Sequence, residues 1–203
     1  MASDYITLAE LKATLSLTAE TYADADISAA ITAASRAIDK ITRRRFWLDV
    51  GTTNVRFYSP DRLTRLDIDD LVTLTSVTVD SAGNGTWADT WTLNTDFVLE
   101  PLNAAEDGFP WEKIIVHPLG KFLFPTSYPR SVQITGQFGW SAIPSGVVDY
   151  TTILATVLLR RKREAPFGIV AMGMDGGAIR IARTDPQAAL LIGPYIRTRY
   201  SVA

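Results

Sequence analysis

The chain has 203 residues, 47% of them apolar and 21% charged, with a formal net charge of −2 and no cysteine. That balance suits one ordinary globular domain or two small ones and excludes an intrinsically disordered chain. Without cysteine there is no disulfide, no thiolate metal site and no cysteine nucleophile.

Thr7-Leu8-Ala9-Glu10 is a capping-box pattern, with hydroxyl and carboxylate three positions apart. Leu8, Leu11 and Leu15 then give a short amphipathic helix. A second helix follows, capped by Asp24 or Asp26, with Ile27, Ala30, Ile31, Ala34, Ile38 and Ile41 as its buried stripe. Arg43, Arg44 and Arg45 end it, where cations suit the helix dipole. From Phe46 to Phe138 the period changes. Residues 55–59, 71–79, 86–93, 96–99, 112–116 and 130–138 read as strands, with Leu63, Leu66 and Ile68 leading into the second. Residues 81–85 contain Asn84-Gly85 and read as a turn; 103–110 and 118–129 read as Pro- and Gly-rich loops.

Residues 136–168 organise the rest. They turn through Gly139, Trp140 and Pro144 into the most apolar helix, on which Val147, Tyr150, Leu154, Val157, Leu158 and Arg161 share one face. Val148, Ile153 and Leu159 make it apolar nearly all round, as expected of a central helix. Pro166 and Gly168 stop it, and residues 172–178 read as a flexible glycine-rich segment. Asp185-Pro186 starts a last short helix, and Gly193-Pro194 stops it. The expected fold class is α+β: a small helical bundle with a long antiparallel β insertion. The expected divisions are N-terminal helices at 1–45, the β insertion at 46–140, C-terminal helices at 141–193 and an extended tail at 194–203.

Charge is uneven along the chain. Residues 46–140 carry 6 basic and 12 acidic groups, a balance of −6, whereas residues 160–203 carry 8 and 3, a balance of +5. Such asymmetry suggests two surfaces with different partners. The start of the chain has no basic-then-apolar leader, and no apolar run approaches the roughly 20 residues of a membrane span. The expectation is a soluble protein made in the cytosol, with no membrane partner.

Sites for chemistry are sparse. His117 is the lone histidine, which excludes a multi-histidine metal site and leaves a catalytic triad one candidate residue. Asp67, Asp69 and Asp70 hold a cation only if a strand puts Asp67 and Asp69 on one face; a solvated turn is the simpler reading. Gly173, Gly176 and Gly177 lack the lysine and hydroxyl of a phosphate loop. Arg160, Arg161, Lys162 and Arg163 cap a helix or meet a charged partner, either a neighbouring subunit or DNA. Trp87 and Trp91 share a face if residues 86–93 form one strand, and β core is their simplest role. No catalytic, cofactor or metal residue is assigned.

Taken in order, these features resemble a known family. They are the N-terminal helix pair, Arg43-Arg44-Arg45-Phe46, the β insertion, Phe138-Gly139-Trp140, Pro144 and the apolar helix ending in Arg160-Arg161-Lys162-Arg163. Pro166-Phe167-Gly168, the glycine-rich stretch, Asp185-Pro186, Leu190-Leu191 and Pro194-Tyr195 through Arg197 complete the series. The series resembles the head–tail connector (adaptor, head completion) proteins of long-tailed double-stranded DNA bacteriophages, over nearly the whole chain. The β insertion is long for that family. The resemblance implies a non-enzymatic virion protein in the neck, made in the host cytoplasm, with no cofactor. About twelve copies form a ring under the portal. The ring extends the DNA channel, passes the genome without sequence-specific binding, and presents a surface to a stopper or tail-completion protein. The C-terminal segment, with Pro194, Tyr195, Ile196, Arg197, Arg199 and Tyr200, reaches the portal. Its tyrosines and arginines are side chains enriched at protein interfaces.

Three other classes compete. A ligand- or carbohydrate-binding β module uses Trp87, Trp91 and Trp111. A hydrolase or metal enzyme uses Asp67, Asp69 and His117. A DNA-binding regulator needs a recognition helix, which a net acidic chain with no such helix does not supply.

Overall fold

A computed structural model describes residues 3–14, 22–51, 53–164, 169–172, 178–180 and 190–197. The chain gathers into two compact units: Met1–Phe46 with Ile143–Ala203, and Trp47–Ala142.

The first unit is helical. Helix α1 (Leu8–Thr14) starts with the expected capping box. The Glu10 amide donates to Thr7 Oγ1 (3.2 Å) and the Thr7 amide donates to Glu10 Oε2 (2.7 Å), so two orphan helix-end donors are satisfied reciprocally. Those bonds, the Thr7 amide first, hold the Glu10 carboxyl below its usual range. Helix α2 (Asp24–Thr42) is capped differently from expectation. Its N-cap is Ala23, whose carbonyl accepts from the amides of Asp26 and Ile27. Asp24 and Asp26 sit in the first turn and pair with Lys12 of α1 and with Lys162 instead. The α2 stripe is Ile27, Ala30, Ile31, Ala34, Ser35, Ile38 and Thr42. The stripe passes to Thr42 rather than Ile41, which is exposed; the Thr42 hydroxyl is satisfied by the Ile38 carbonyl at 2.8 Å.

Helix α3 (Ser145–Glu164) packs on α2. Its buried face is Val147, Thr151, Ala155 and Leu159, with Tyr150 beside them. That face is turned by about one residue from the one expected, and Leu154, Val157 and Leu158 are only half-buried. A helix apolar on nearly every side gives periodicity no phase to select. Nor is α3 the hub of the whole molecule, because the second unit has a core of its own. After α3, β7 (Ile169–Met172) and β8 (Ala178–Arg180) form an antiparallel pair on either side of residues 173–177. The expected flexible reading of that glycine stretch lies outside the described residues. Residues 190–192 are helical and run into a 3-10 turn at Gly193–Tyr195.

The second unit is a six-stranded antiparallel sheet. Its strands are β1 (Asn54–Tyr58), β2 (Arg65–Val79), β3 (Asp89–Trp91), β4 (Phe97–Glu100), β5 (Trp111–Val116) and β6 (Val132–Phe138). The order is β1-β6-β2-β5-β4, with β3 paired to the far end of β2. Strand β2 is the spine, 15 residues long, and β6 shows strict alternation of buried and half-buried positions. Leu71, Val77, Val79, Ile114, Val132, Ile134 and Phe138 fill the inner face, with Phe124 reaching in from the 118–129 loop. Where β2 bulges against β6, Gly136 is required: a Cβ there meets the Thr73 carbonyl oxygen at 2.3 Å. Gly139, at φ +113°, leaves the sheet where a Cβ meets the Trp47 carbonyl oxygen at 2.0 Å. The expected strand at 86–93 shrinks to β3, because residues 81–85 are folded onto Asp80. That buried carboxylate accepts from the amides of Gly83 (2.7 Å), Asn84 (3.2 Å) and Gly85 (2.7 Å).

Candidate functional site

The segment expected to be an extended tail begins packed. The Tyr195 ring meets Phe46 edge-on at 5.8 Å, and Phe46 in turn meets Tyr5 at 5.6 Å. Arg44 Nε donates to the Tyr195 carbonyl at 2.8 Å, and the Arg197 amide donates to the Thr42 carbonyl at 2.9 Å. Arg44 and Arg197 are both buried. The middle of the Arg43-Arg44-Arg45-Phe46 run thus clasps residues 195–197, a role its sequence position does not disclose. Behind it, Tyr5 donates its hydroxyl proton to Asp39 and accepts from the Phe46 amide. Burial, with Asp39 beside it, pushes the Tyr5 phenol far above its usual value. Burial also raises the Asp39 carboxyl against the pull of Tyr5 and Arg36. Pro194 and Ile196 stay exposed, and Arg199 and Tyr200 lie outside the described residues.

The second basic cluster is partly used within its own unit. Lys162 pairs with Asp26 at 2.5 Å, and Arg161 is half-buried. Arg160 is exposed; the side chain of Arg163 lies outside the described residues. Arg160 and Lys162 are the exposed members of the cluster among the described residues.

The aspartate run is not a turn. Asp67, Asp69 and Asp70 all lie in β2. Asp69 accepts from Arg56 (2.6 Å) and from the Tyr58 hydroxyl (3.2 Å), while Arg56 also pairs with Asp49 and lies 4.1 Å over the Phe138 ring. Burial alone lowers the Arg56 pKa, and Asp69 and Asp49 more than reverse that. Asp67 pairs with Arg65, and buried Asp70 accepts from Trp140 Nε1 at 2.9 Å. The counter-ions are guanidinium groups, and among the described residues no three carboxylates or imidazoles gather as a metal site would need. His117 Nδ1 accepts from the Leu119 amide in the turn after β5.

The tryptophans do not share a platform. Trp91 is buried between Phe122 and Phe124, with ring centroids at 5.5 and 4.8 Å. Trp87 lies outside β3, packs on Phe57 at 4.7 Å and donates to the Arg130 carbonyl. Trp111 lines a cavity of about 140 Å³ with Phe109, Trp140, Leu71 and Val72. Sites for drug-sized ligands span roughly 300–1,000 Å³, so this cavity is small for a sugar. Among the described residues no helix is long and apolar enough to cross a membrane.

No protein-family model matches the sequence, and no curated protein matches it significantly. Solved structures do match in fold. A chain in the neck of an empty gene transfer agent (GTA) particle, computed with C6 symmetry, aligns with a TM-score of 0.53 at 18% identity over 98% of this chain and 93% of its own. A chain in the neck of the native particle, computed with C12 symmetry, aligns at 0.51 and 17% over 100% and 98%. A third, from the virion of the native particle, aligns at 0.50 and 19% over 98% and 93%. Helices and β insertion together, this chain shares its fold with chains of those particles.

Proposed function

We propose that this chain is a structural virion protein: a head–tail connector that forms a ring under the portal, extends the DNA channel and carries the attachment surface for stopper or tail proteins. The observation that carries the reading is the near-full-length fold similarity to chains in the necks of GTA particles. The sixfold and twelvefold symmetry of those necks supports a ring of identical subunits. The role is mechanical, and the genome passes without base readout. A non-enzymatic role fits the engagement of Asp67, Asp69 and His117 in strand and turn contacts.

Portal docking belongs to the C-terminal segment. Pro194 and Ile196 are exposed beside a root that Arg44 and Phe46 hold in place, and Arg199 and Tyr200 follow it. A root fixed in advance lowers the ordering cost of docking, and many copies in a ring add avidity. Arg160 is the member of the second basic cluster best exposed to meet a neighbouring subunit or DNA.

The test is co-sedimentation with the portal ring of the same virus. Three forms are compared: full length, ending at Arg197, and ending at Gly193. Binding by the full-length chain and loss in the form ending at Arg197 assign docking to residues 198–203. Loss only in the form ending at Gly193 assigns it to 194–197. No binding by any form refutes the connector reading.

A further inference from the structure

The sheet has two open edges, and they differ in chemistry. On the edge strand β1, Val55 (50%) and Phe57 (38%) are exposed on the sheet face opposite to Tyr58, which packs on the core. Trp87 packs on Phe57 at 4.7 Å, and the Arg130 guanidinium lies 4.6 Å over the same ring. Arg130 is held there by its own backbone: φ is +59°, its amide donates to Ser59 Oγ at 2.9 Å and its carbonyl accepts from Trp87 Nε1 at 3.0 Å. A non-glycine residue in the left-handed region is uncommon and is kept only where its surroundings fix it. Arg130 is exposed and has no carboxylate partner among the described residues. The cluster thus offers a phenylalanine, a tryptophan and an unneutralised arginine, side-chain types enriched at interface centres. The strand carries no proline and no lysine to block pairing with another chain.

At the opposite edge, β4 leads into the turn at residues 101–110. Leu102 is 73% exposed there, and Glu106 and Asp107 are exposed with no ion-pair partner among the described residues. The turn is firmly folded: the Glu106 and Asp107 amides bond to the Asn103 carbonyl and the Phe109 amide bonds to the buried Ala104. One edge is aromatic and cationic; the other is aliphatic and anionic.

We propose that these two edges are a complementary pair: Val55, Phe57, Trp87 and Arg130 of one copy dock on Leu102, Glu106 and Asp107 of the next. The partner is a second copy of this chain. Because the two surfaces are different patches of one sheet unit, the contact is head-to-tail, and repeating it gives a ring when the rotation per step closes. This deepens the ring reading above and rests on it. Exposed ion pairs add little by themselves, so Phe57 and Trp87 supply the contact area and Arg130 sets register and partner choice.

The absence of cysteine makes the test clean. Val55→Cys and Leu102→Cys are made singly and together, at two exposed positions, and treated with a short bis-maleimide. The double variant is expected to give a ladder of linked multimers, and the mixed single variants a heterodimer. Arg130→Glu is expected to weaken self-association about tenfold, and Glu106→Arg with Asp107→Arg to restore it. Homodimers of Val55→Cys without heterodimers overturn the head-to-tail contact. So does a chain that sediments as an oligomer yet gives no Val55–Leu102 product, or one that stays monomeric at its solubility limit. Portal co-sedimentation separates the two failures: binding without this cross-link refutes only the contact, whereas loss of both refutes the connector reading as well.

Discussion

Phe46→Ala removes the ring at the centre of the clasp. Phe46 is fully buried, with Tyr5 on one side and Tyr195 on the other, both edge-on. Truncating a buried phenylalanine costs about 3–5 kcal/mol, of which each lost ring pair accounts for about 0.5–1.5 kcal/mol. The upper half applies here, because Tyr5 is tied to Asp39 and to the residue-46 amide and cannot collapse into the space. Against a typical domain stability of 5–15 kcal/mol that leaves the helical unit marginal. The assay is urea unfolding with two probes. Helices α1, α2 and α3 all belong to the unit that contains Phe46, so far-UV circular dichroism reports mainly on it. All five tryptophans (Trp47, Trp87, Trp91, Trp111 and Trp140) lie in Trp47–Ala142, so their fluorescence reports on the sheet. The dichroism midpoint is expected to fall by the amount that corresponds to about 4–5 kcal/mol, with Phe46→Leu losing less than half as much. A dichroism shift under about 1 kcal/mol refutes the clasp, since a buried ring with two partners cannot be lost so cheaply.

Two further outcomes follow from buried polar groups. Trp91 is almost fully buried but its Nε1 has no acceptor among the described residues. Trp91→Phe is therefore expected to cost less than about 1 kcal/mol, because the lost contact area is offset by removal of an unsatisfied donor worth about 1–3 kcal/mol; a midpoint loss above about 3 kcal/mol refutes this. The phenols of Tyr5 and Tyr58 are both raised well above the ordinary value of about 10, chiefly by burial. A group whose folded pKa is raised contributes stability that is complete below the unfolded pKa and is lost as pH rises through the folded one. The phenolate absorbance of Tyr5 and Tyr58 is expected to appear in a late phase that coincides with alkaline unfolding. Tyr5→Phe and Tyr58→Phe each remove part of the late phase, and a single early phase in the unaltered chain contradicts the burial argument.

Local patterns in the sequence are matched by the fold, whereas contacts between distant residues are not foreshadowed. The capping box of Thr7 and Glu10 and the strand expected at 130–138 are set within a few residues, and both are present, the strand as β6. Residues 67–70 read as a turn because aspartate is a poor strand former, yet β2 runs through them. What holds them there is Arg56, 13 positions away from Asp69, and Trp140, 70 positions away from Asp70. The same distance hides the clasp: Arg44 and Tyr195 are 151 positions apart, and a run of arginines at a helix end reads as dipole capping. On α3 the difference is one of phase. The apolar spacing selects the face with Leu154, whereas Ala155 and Leu159 face the core. A charge test of the helical core therefore belongs at Leu159.

Charge counted along a sequence overstates what a partner meets. The 46–140 stretch carries an excess of six acidic groups, and much of it is spent inside the sheet unit. Asp49 and Asp69 share Arg56, Asp67 pairs with Arg65, and Asp70, Asp80 and Asp96 are buried on N–H donors. The basic groups of the helical unit are similarly drawn in: Lys12 and Lys162 pair with Asp24 and Asp26, and Arg44 and Arg197 are buried in the clasp. Other charges stay exposed on both sides of the balance, among them Asp61, Glu106, Asp107 and Asp149 against Lys40, Arg62, Lys121, Arg130 and Arg160. A contact built from Arg130 and two carboxylates draws its strength from apolar area. Arg130 and the acidic turn then act on alignment, and salt at concentrations well above physiological is expected to slow assembly more than to dissolve it.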